Sequence, residues 1–334
     1  MNTETSYMGI TLANPVIASA SPLTYTLDGV RRLAASGVGA IVMHSLFEEE
    51  IESDAERRAR LLEAGSESYA ESLSYFPDAS PAQAAKRYLS LLERAAGLGV
   101  PVIGSLNAAA PGSWVAHARE IEGAGARAIE LNIHVLPGAG MTGGRAVEAL
   151  HVEIVEQVKS VVSIPVAVKM SPYFSSVGEM AVRLDAAGAD AVVLFSRFVH
   201  PDIDPDLLRV APGIGLSNAS EARLSRTWVA LLHGRLRAAI AGATGVDQPG
   251  DVVSYILAGA DVVMTTSALL RHGPGYAREL VDGTVSWMER KGFDALTDFR
   301  GLLAARQTGN QVAEERAGYV EALRAANANI QGPW

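Results

Sequence analysis

Hydrophobic and polar positions along this chain fall into one phrase that keeps returning: an amphipathic helix, a glycine, then a short aliphatic run. It reads LAASGVGAIVMHS at 33–45, IEGAGARAIELN at 121–132, LDAAGADAVVLFS at 184–196 and ILAGADVVMTTS at 256–267. A sister phrase interleaves with it, in which proline opens the apolar run: GVPVIGSLN at 99–107 and SIPVAVKMS at 163–171. Glycine directly after a helix is the residue of a left-handed C-cap. Four to six aliphatic residues without polar alternation make a strand buried on both faces, as parallel strands are. The pattern predicts strands over 15–20, 39–44, 101–106, 127–132, 165–170, 190–195, 237–242 and 261–266. Helices are expected near 27–36, 81–97, 113–124, 145–162, 176–187, 225–234, 248–258 and 274–290. Parallel neighbours need a crossover between them, so eight successive strand–helix units predict an α/β fold, a closed (β/α)8 TIM barrel. An open doubly wound sheet is the alternative, but no GxGxxG follows the first strand.

Size and composition narrow the function classes. A chain of 334 residues suits one large barrel, expected over 1–292, with 293–334 as a helical extension packed on the barrel or on a partner. The absence of Cys excludes a disulfide scaffold, a thiolate zinc site, an iron–sulfur cluster and a cysteine nucleophile. A net charge of −9 without a basic block disfavours nucleic acid and anionic membrane as partners. No apolar run reaches membrane-spanning length, and the N-terminus lacks a basic segment followed by an apolar one. The expectation is a cytoplasmic protein acting on a small molecule.

Barrel chemistry sits on the loops that follow the strands. Two such loops are long, 46–80 and 197–224, as lids and binding loops are. Lys169 ends a strand of small aliphatic residues, PVAVKM. A fixed cation there suits a Schiff base, an enolate or the N1–O2 edge of a flavin. Asn132 ends ELN and offers two donors and an acceptor. Thr244, Gly245, Thr266 and Ser267 follow the last two strands, where barrels of this kind commonly bind phosphate; simple helix capping is the other reading. His44, His134 and His200 lie on the same side of the barrel and are candidate acid–base groups. The run Glu48–Glu49–Glu50 reads as a solvated loop face, and no histidine pair has metal-ligand spacing with a carboxylate.

Laid out this way, residues 8–290 resemble the dihydroorotate dehydrogenase family, closest to its soluble class and to a dihydroorotate dehydrogenase-like branch. The matching stretches are LANPVIASAS, GAIVMHSLFEEE, AIELNI, VAVKMSPYF, ATGV and AGADVVMTTSALLRHGP. The resemblance implies an FMN-binding barrel and a homodimer. By position, it places Ser19, Ala20 and Ser21 near the isoalloxazine, and Ser45, Ser105, Asn107 and Asn132 at the ring edge or ribityl chain. Lys169 takes the place of the lysine facing N1–O2. Gly245, Thr266 and Ser267 take the phosphate, with Thr244 where the family more often has glycine.

The departures bear on function. Where the family follows ELN with a segment such as SCPN, whose Cys or Ser is the base, this chain has ELNIHVLPG, so Val135 takes the base position. His44 stands where the family has lysine, Ser72 where it has an asparagine, and Phe195–Ser196, followed by Arg197, where it has an Asn–Ser or Asn–Thr pair. These changes predict an FMN-dependent oxidoreductase acting on a CH–CH or CH–N bond of a small polar molecule, with substrate contacts from Ser72, Tyr75, Asn132, Ser196 and Arg197. His134 is expected to move the proton, with His44 second. Ordinary dihydroorotate oxidation with an unusual base, a non-catalytic flavin barrel, and an aldolase-type lysine enzyme are the alternatives.

Overall fold

A computed structural model of the protein describes residues 1–47, 82–107, 111–133, 135, 143–197, 202–211, 215–305 and 316–324. Two short strands, β1 (Thr5–Tyr7) and β2 (Ile10–Leu12), pair as an antiparallel hairpin. Six parallel strands follow: β3 (Val16–Ala18), β4 (Ala40–Phe47), β5 (Val102–Asn107), β6 (Ala128–Asn132), β7 (Val166–Met170) and β8 (Ala191–Leu194). A second hairpin, β9 (Asp202–Asp204) and β10 (Arg209–Ala211), precedes β11 (Ala239–Ala243) and β12 (Val262–Thr265). The eight parallel strands close into one barrel, in which β11 pairs with both β12 and β8. Between and after them run α1 (Leu27–Ala35), α2 (Ala82–Ala96), α3 (Pro111–Gly123), α4 (Gly144–Lys159), α5 (Val177–Ala186), α6 (Ala222–Leu232), α7 (Pro249–Ala258), α8 (Ser267–His272) and α9 (Tyr276–Lys291).

The recurring phrase works as its composition predicts. The glycines that end its four helices, Gly37, Gly125, Gly188 and Gly259, all take φ between +85° and +114°. In two of the repeats the aspartate of GAD latches the neighbouring strand. Asp190 Oδ2 accepts from Val166 N at 2.8 Å, and Asp261 Oδ2 accepts from Ile240 N at 2.8 Å. Each aspartate thereby satisfies an amide in the first two residues of a strand, at the barrel's lower rim.

Side chains alternate across each strand. On β7, Val166, Val168 and Met170 join the outer core under the helices. Ala167 and Lys169 therefore face the interior. Interior positions are small (Ala40, Ala128, Ala167, Ala191, Ala241), and the β1–β2 hairpin fills the space from below. Its Tyr7, Ile10 and Leu12 pack with Ile17, Val42 and Ile103. The floor is closed outside by residues 293–305. There Phe293, Phe299 and Trp287 form one aromatic group, and Gly301 N donates to Ile256 O at 2.9 Å. Residues 316–324 are helical and exposed.

The structure departs from the sequence pattern in three places. The β1–β2 hairpin is too short for its alternation to stand out. The 197–224 loop carries the β9–β10 hairpin, whose turn is set by Asp204 Oδ1 accepting from Asp206 N and Leu207 N at 3.1 and 3.0 Å. A short extra helix, α8, follows β12 and stops at Gly273 (φ +89°) and Pro274, before α9, the helix expected over 274–290.

His151 of α4 gives the fold a pH dependence. Its ring is 1% exposed, Nδ1 donates to Val147 O at 2.7 Å, and its edge meets Phe174 at 5.1 Å. Nε2 makes no hydrogen bond among the described residues. Burial holds its pKa below 6.5, against the opposing pull of the Val147 and Ile133 carbonyls. As pH falls past 6.5 the unfolded chain therefore binds a proton that the folded chain refuses. The contribution of His151 is complete above that pH and is lost below it. The melting temperature is expected to fall between pH 7 and pH 5, and to fall less in His151→Leu. Equal falls in the two proteins would place the acid sensitivity elsewhere.

Candidate active site

Strand register assembles the upper mouth of the barrel. Ser45 of β4 lies beside Ser105 of β5, and Ser105 beside Glu130 of β6. One step higher, Asn132 of β6 lies beside Lys169 of β7. The first row depends on a bulge: between Val42 and Ser45, β4 carries one residue more than β5. Such a bulge re-aims side chains and interrupts the ladder. Here Ser45 Oγ comes within 2.8 Å of Ser105 Oγ. The Tyr88 hydroxyl of α2 takes up both backbone groups of Ser105, accepting from its N at 3.0 Å and donating to its O at 3.2 Å.

Lys169 reaches two partners from different strands. Its Nζ donates to Ser19 Oγ at 3.2 Å and lies 3.3 Å from Glu130 Oε1. The lysine side chain is 14% exposed and the glutamate side chain 1%. One end of this ion pair is therefore sealed in the barrel, and the other opens at the mouth. Asn132 Oδ1 accepts from Ser196 Oγ at 3.2 Å, which joins β6 to the loop after β8. Asn107 ends β5 and is buried.

His44 is half-buried between Tyr25 and Tyr88, with ring centroids at 4.3 and 5.0 Å. Its Nδ1 lies 3.0 Å from the Thr24 carbonyl. A carbonyl only accepts, so Nδ1 carries the proton and Nε2 keeps the lone pair. Burial pulls its pKa below 6.5, more strongly than the Thr24 carbonyl raises it. His44 is thus a neutral acceptor near the mouth.

A second cluster forms across the barrel, after β11 and β12. Gly242 leaves room for Tyr255, since a Cβ there would come within 2.3 Å of the ring. The Tyr255 hydroxyl then reaches the carbonyls of Ala243 at 2.8 Å and Thr244 at 2.7 Å. A trans peptide points its N–H opposite its C=O, so the Gly245 amide is turned the other way, towards Ser217 Oγ at 3.4 Å. Ser217 donates from both N and Oγ to Ser267 Oγ, each at 2.9 Å. Arg271 donates to Ser217 O at 2.8 Å and pairs with Asp247. Thr244 holds φ +77° and donates to Phe195 O at 3.2 Å. This left-handed geometry favours glycine and strains a β-branched residue.

The sequence-predicted residues thus gather on one face. Ser45–Ser105, Lys169–Ser19 and Ser196–Asn132 are hydrogen-bonded pairs there, with Asn132 and Lys169 neighbours in register. Ser21 accepts from Leu23 N at 3.3 Å and starts the turn over 22–24, and Ala20 O accepts from Thr266 Oγ1 at 3.4 Å. Arg197 is exposed and already engaged, by Glu221 at 3.1 Å and by the Gly215 carbonyl. Ser72, Tyr75, His134 and His200 lie outside the described residues. Val135 packs against the outer core. Sequence reasoning missed Glu130, Ser217 and the two tyrosines around His44. Glu130 did leave a signal: it is the charged residue inside a buried strand, two before Asn132 and so on the same face.

A family model described as dihydroorotate dehydrogenase matches residues 2–288. The catalytic subunit of a dihydroorotate dehydrogenase B (NAD(+)) from Methanothermobacter thermautotrophicus is 27% identical over 308 residues, 90% of this chain and 97% of that one. A subunit of the same name from Methanocella arvoryzae is 29% identical over 287 residues, 85% and 92% of the two chains. A provisionally named dihydroorotate dehydrogenase A (fumarate) from Aeropyrum pernix is 31% identical over 224 residues, 66% and 72%.

Proposed function

The chain belongs to the dihydroorotate dehydrogenase family, and from that premise we propose that it is an FMN-dependent oxidoreductase acting on a small polar molecule other than dihydroorotate. The donor set at the mouth suits that cofactor. Lys169 offers a cation at the interior end of the site, Ser45, Ser105, Asn107 and Asn132 offer neutral polar groups beside it, and Ser19, Ala20 and Ser21 close the near edge. Across the barrel, the Gly245 amide, the Ser217 and Ser267 hydroxyls and Thr266, with Thr244 beside them, form a small-residue cradle suited to a phosphate. When bound, FMN supplies two-electron chemistry at its N5 position.

The chain's own residues then set the substrate. The observation that carries the reading is Val135, turned into the core at the position where the family resemblance places the base; valine exchanges no proton. Proton transfer falls to a histidine. His134 adjoins the vacated position, and His44 presents a neutral Nε2. Losing a positioned base without replacement lowers a rate by about 10²–10⁴-fold. Sites built to hydrogen-bond one substrate discriminate strongly among ligands, and Ser72 and Phe195 stand where the family resemblance places asparagines in such a site. Ser196, Asn132 and Tyr75 are the proposed substrate contacts. Arg197 would meet a substrate carboxylate only by exchanging it for Glu221.

No helix among the described residues is long and apolar enough to cross a membrane. We place the protein in the cytoplasm as a homodimer, for which the β9–β10 hairpin offers exposed Leu207, Leu208 and Val210. The test is one preparation. The purified protein is expected to show flavin absorption, to release FMN, and to scatter light as twice its 35.1 kDa chain. Anaerobic dihydroorotate is expected to leave the flavin band unchanged. Bleaching would instead establish dihydroorotate oxidation, as in the named relatives. A colourless protein that refuses added FMN would end the flavin reading and turn attention to Lys169 as a Schiff-base lysine.

A further inference from the structure

Glu130 is the one fully buried carboxylate among the described residues. Its Oε1 meets Lys169, but its Oε2 makes no hydrogen bond among the described residues. Tyr7 on the floor hairpin, on which the Glu130 charge acts, also keeps a buried hydroxyl with no hydrogen bond among the described residues. Burial and the Glu130 charge both push the ionisation of Tyr7 upward, so this phenol stays neutral and leaves the carboxylate uncompensated from below. A carboxylate commonly accepts several hydrogen bonds, and among the described residues Glu130 has only the lysine. Its field is therefore screened on one side by Lys169 and little elsewhere, in an interior where charges act over longer distances than in water.

We propose that Glu130 is a positioning residue that holds Lys169 at the mouth and partly offsets its charge, thereby setting the reduction potential of the cofactor. The inference rests on the flavin reading of the site. Two features separate it from a purely structural role. The pair spans two adjacent strands whose register already aligns Lys169 with Asn132 rather than with Glu130, so the contact is a diagonal one that the backbone alone does not require. Ser19 supplies Lys169 with a neutral partner of its own at 3.2 Å, so the carboxylate adds charge as well as a hydrogen-bond acceptor.

Glu130→Gln keeps the shape and an acceptor and removes the charge. With Lys169 no longer offset, uptake of electrons beside it becomes easier. The variant is expected to bind FMN and to favour the reduced cofactor at least tenfold more than the native protein, about 30 mV for a two-electron couple. Glu130→Asp, which keeps the charge, is expected to stay nearer the native potential. Native potential in FMN-loaded Glu130→Gln would overturn the proposal while leaving the flavin reading intact. A native protein without FMN would overturn both. Glu130→Met fills a similar volume without a polar group and stands in if the glutamine variant does not fold; it is expected to shift the potential in the same direction. Failure of both neutral variants to fold would also overturn the proposal, since the carboxylate would then be a requirement of the barrel itself.

Discussion

Lys169→Met is expected to lower the melting temperature by about 4–7 °C, whatever it does to the cofactor. The reason lies beneath the lysine. Glu130 has a side chain 1% exposed, and Lys169 is its only charged partner within 4.0 Å among the described residues. Removing one member of a buried pair strands the other charge, at about 3–5 kcal/mol. With an unfolding entropy of about 2.1 cal/mol/K per residue, 1 kcal/mol moves the midpoint of a chain this long by roughly 1.4 °C. The double variant Lys169→Met/Glu130→Gln leaves no buried charge and is expected to recover most of the loss, since neutral replacements of buried pairs are often tolerated. Calorimetry on the two variants checks this. A single variant as stable as the native protein would mean that Glu130 is not held as an ion in the barrel.

Gly245→Ala is expected to strip the protein of FMN, reducing the cofactor released per chain at least tenfold. Gly245 takes φ +70°, and an added Cβ would lie 2.6 Å from Ala222 N and 2.8 Å from Asn218 O. Both are backbone atoms, so no side chain can swing aside; the loop over 215–222 must lift or the end of β11 must bend. Either movement separates the Gly245 amide from Ser217 and Ser267. The strained backbone alone costs about 1–3 kcal/mol. Gly250→Ala, one turn away in chain terms, is the control. Its Cβ would meet nothing within 4 Å, so it is expected to retain FMN. Full FMN in Gly245→Ala would move the phosphate away from this corner of the barrel.

These expectations rest on features of unequal visibility in the sequence. The barrel was readable because each strand is a short aliphatic run and each preceding helix ends on glycine. Lys169 and Asn132 were readable because a polar residue at the end of such a run must leave the strand towards the mouth. Ser217 was harder to find, since a loop serine carries no periodic signal, and only the fold of 215–222 over Gly245 brings it to Ser267. The start of the last helix after Gly273–Pro274 was legible, whereas α8 before it has six residues, too few for a helical period to stand out. The β4 bulge left no trace, because the strand opens as an unbroken apolar run, AIVM, with no alternation for an extra residue to disturb.

The sequence by itself determined the order of the barrel strands and the helices between them, and the glycine caps, because these follow from local periodicity and backbone sterics. The family resemblance, read from the sequence, places Val135 where the family has its base. Only the tertiary structure decided that Lys169 shares its charge with Glu130, that His44 is a neutral acceptor clamped by Tyr25 and Tyr88, and that Arg197 is already held by Glu221. Each of these depends on which residues from distant strands and loops are brought within hydrogen-bonding distance, and on the burial that closure of the barrel imposes on their charges.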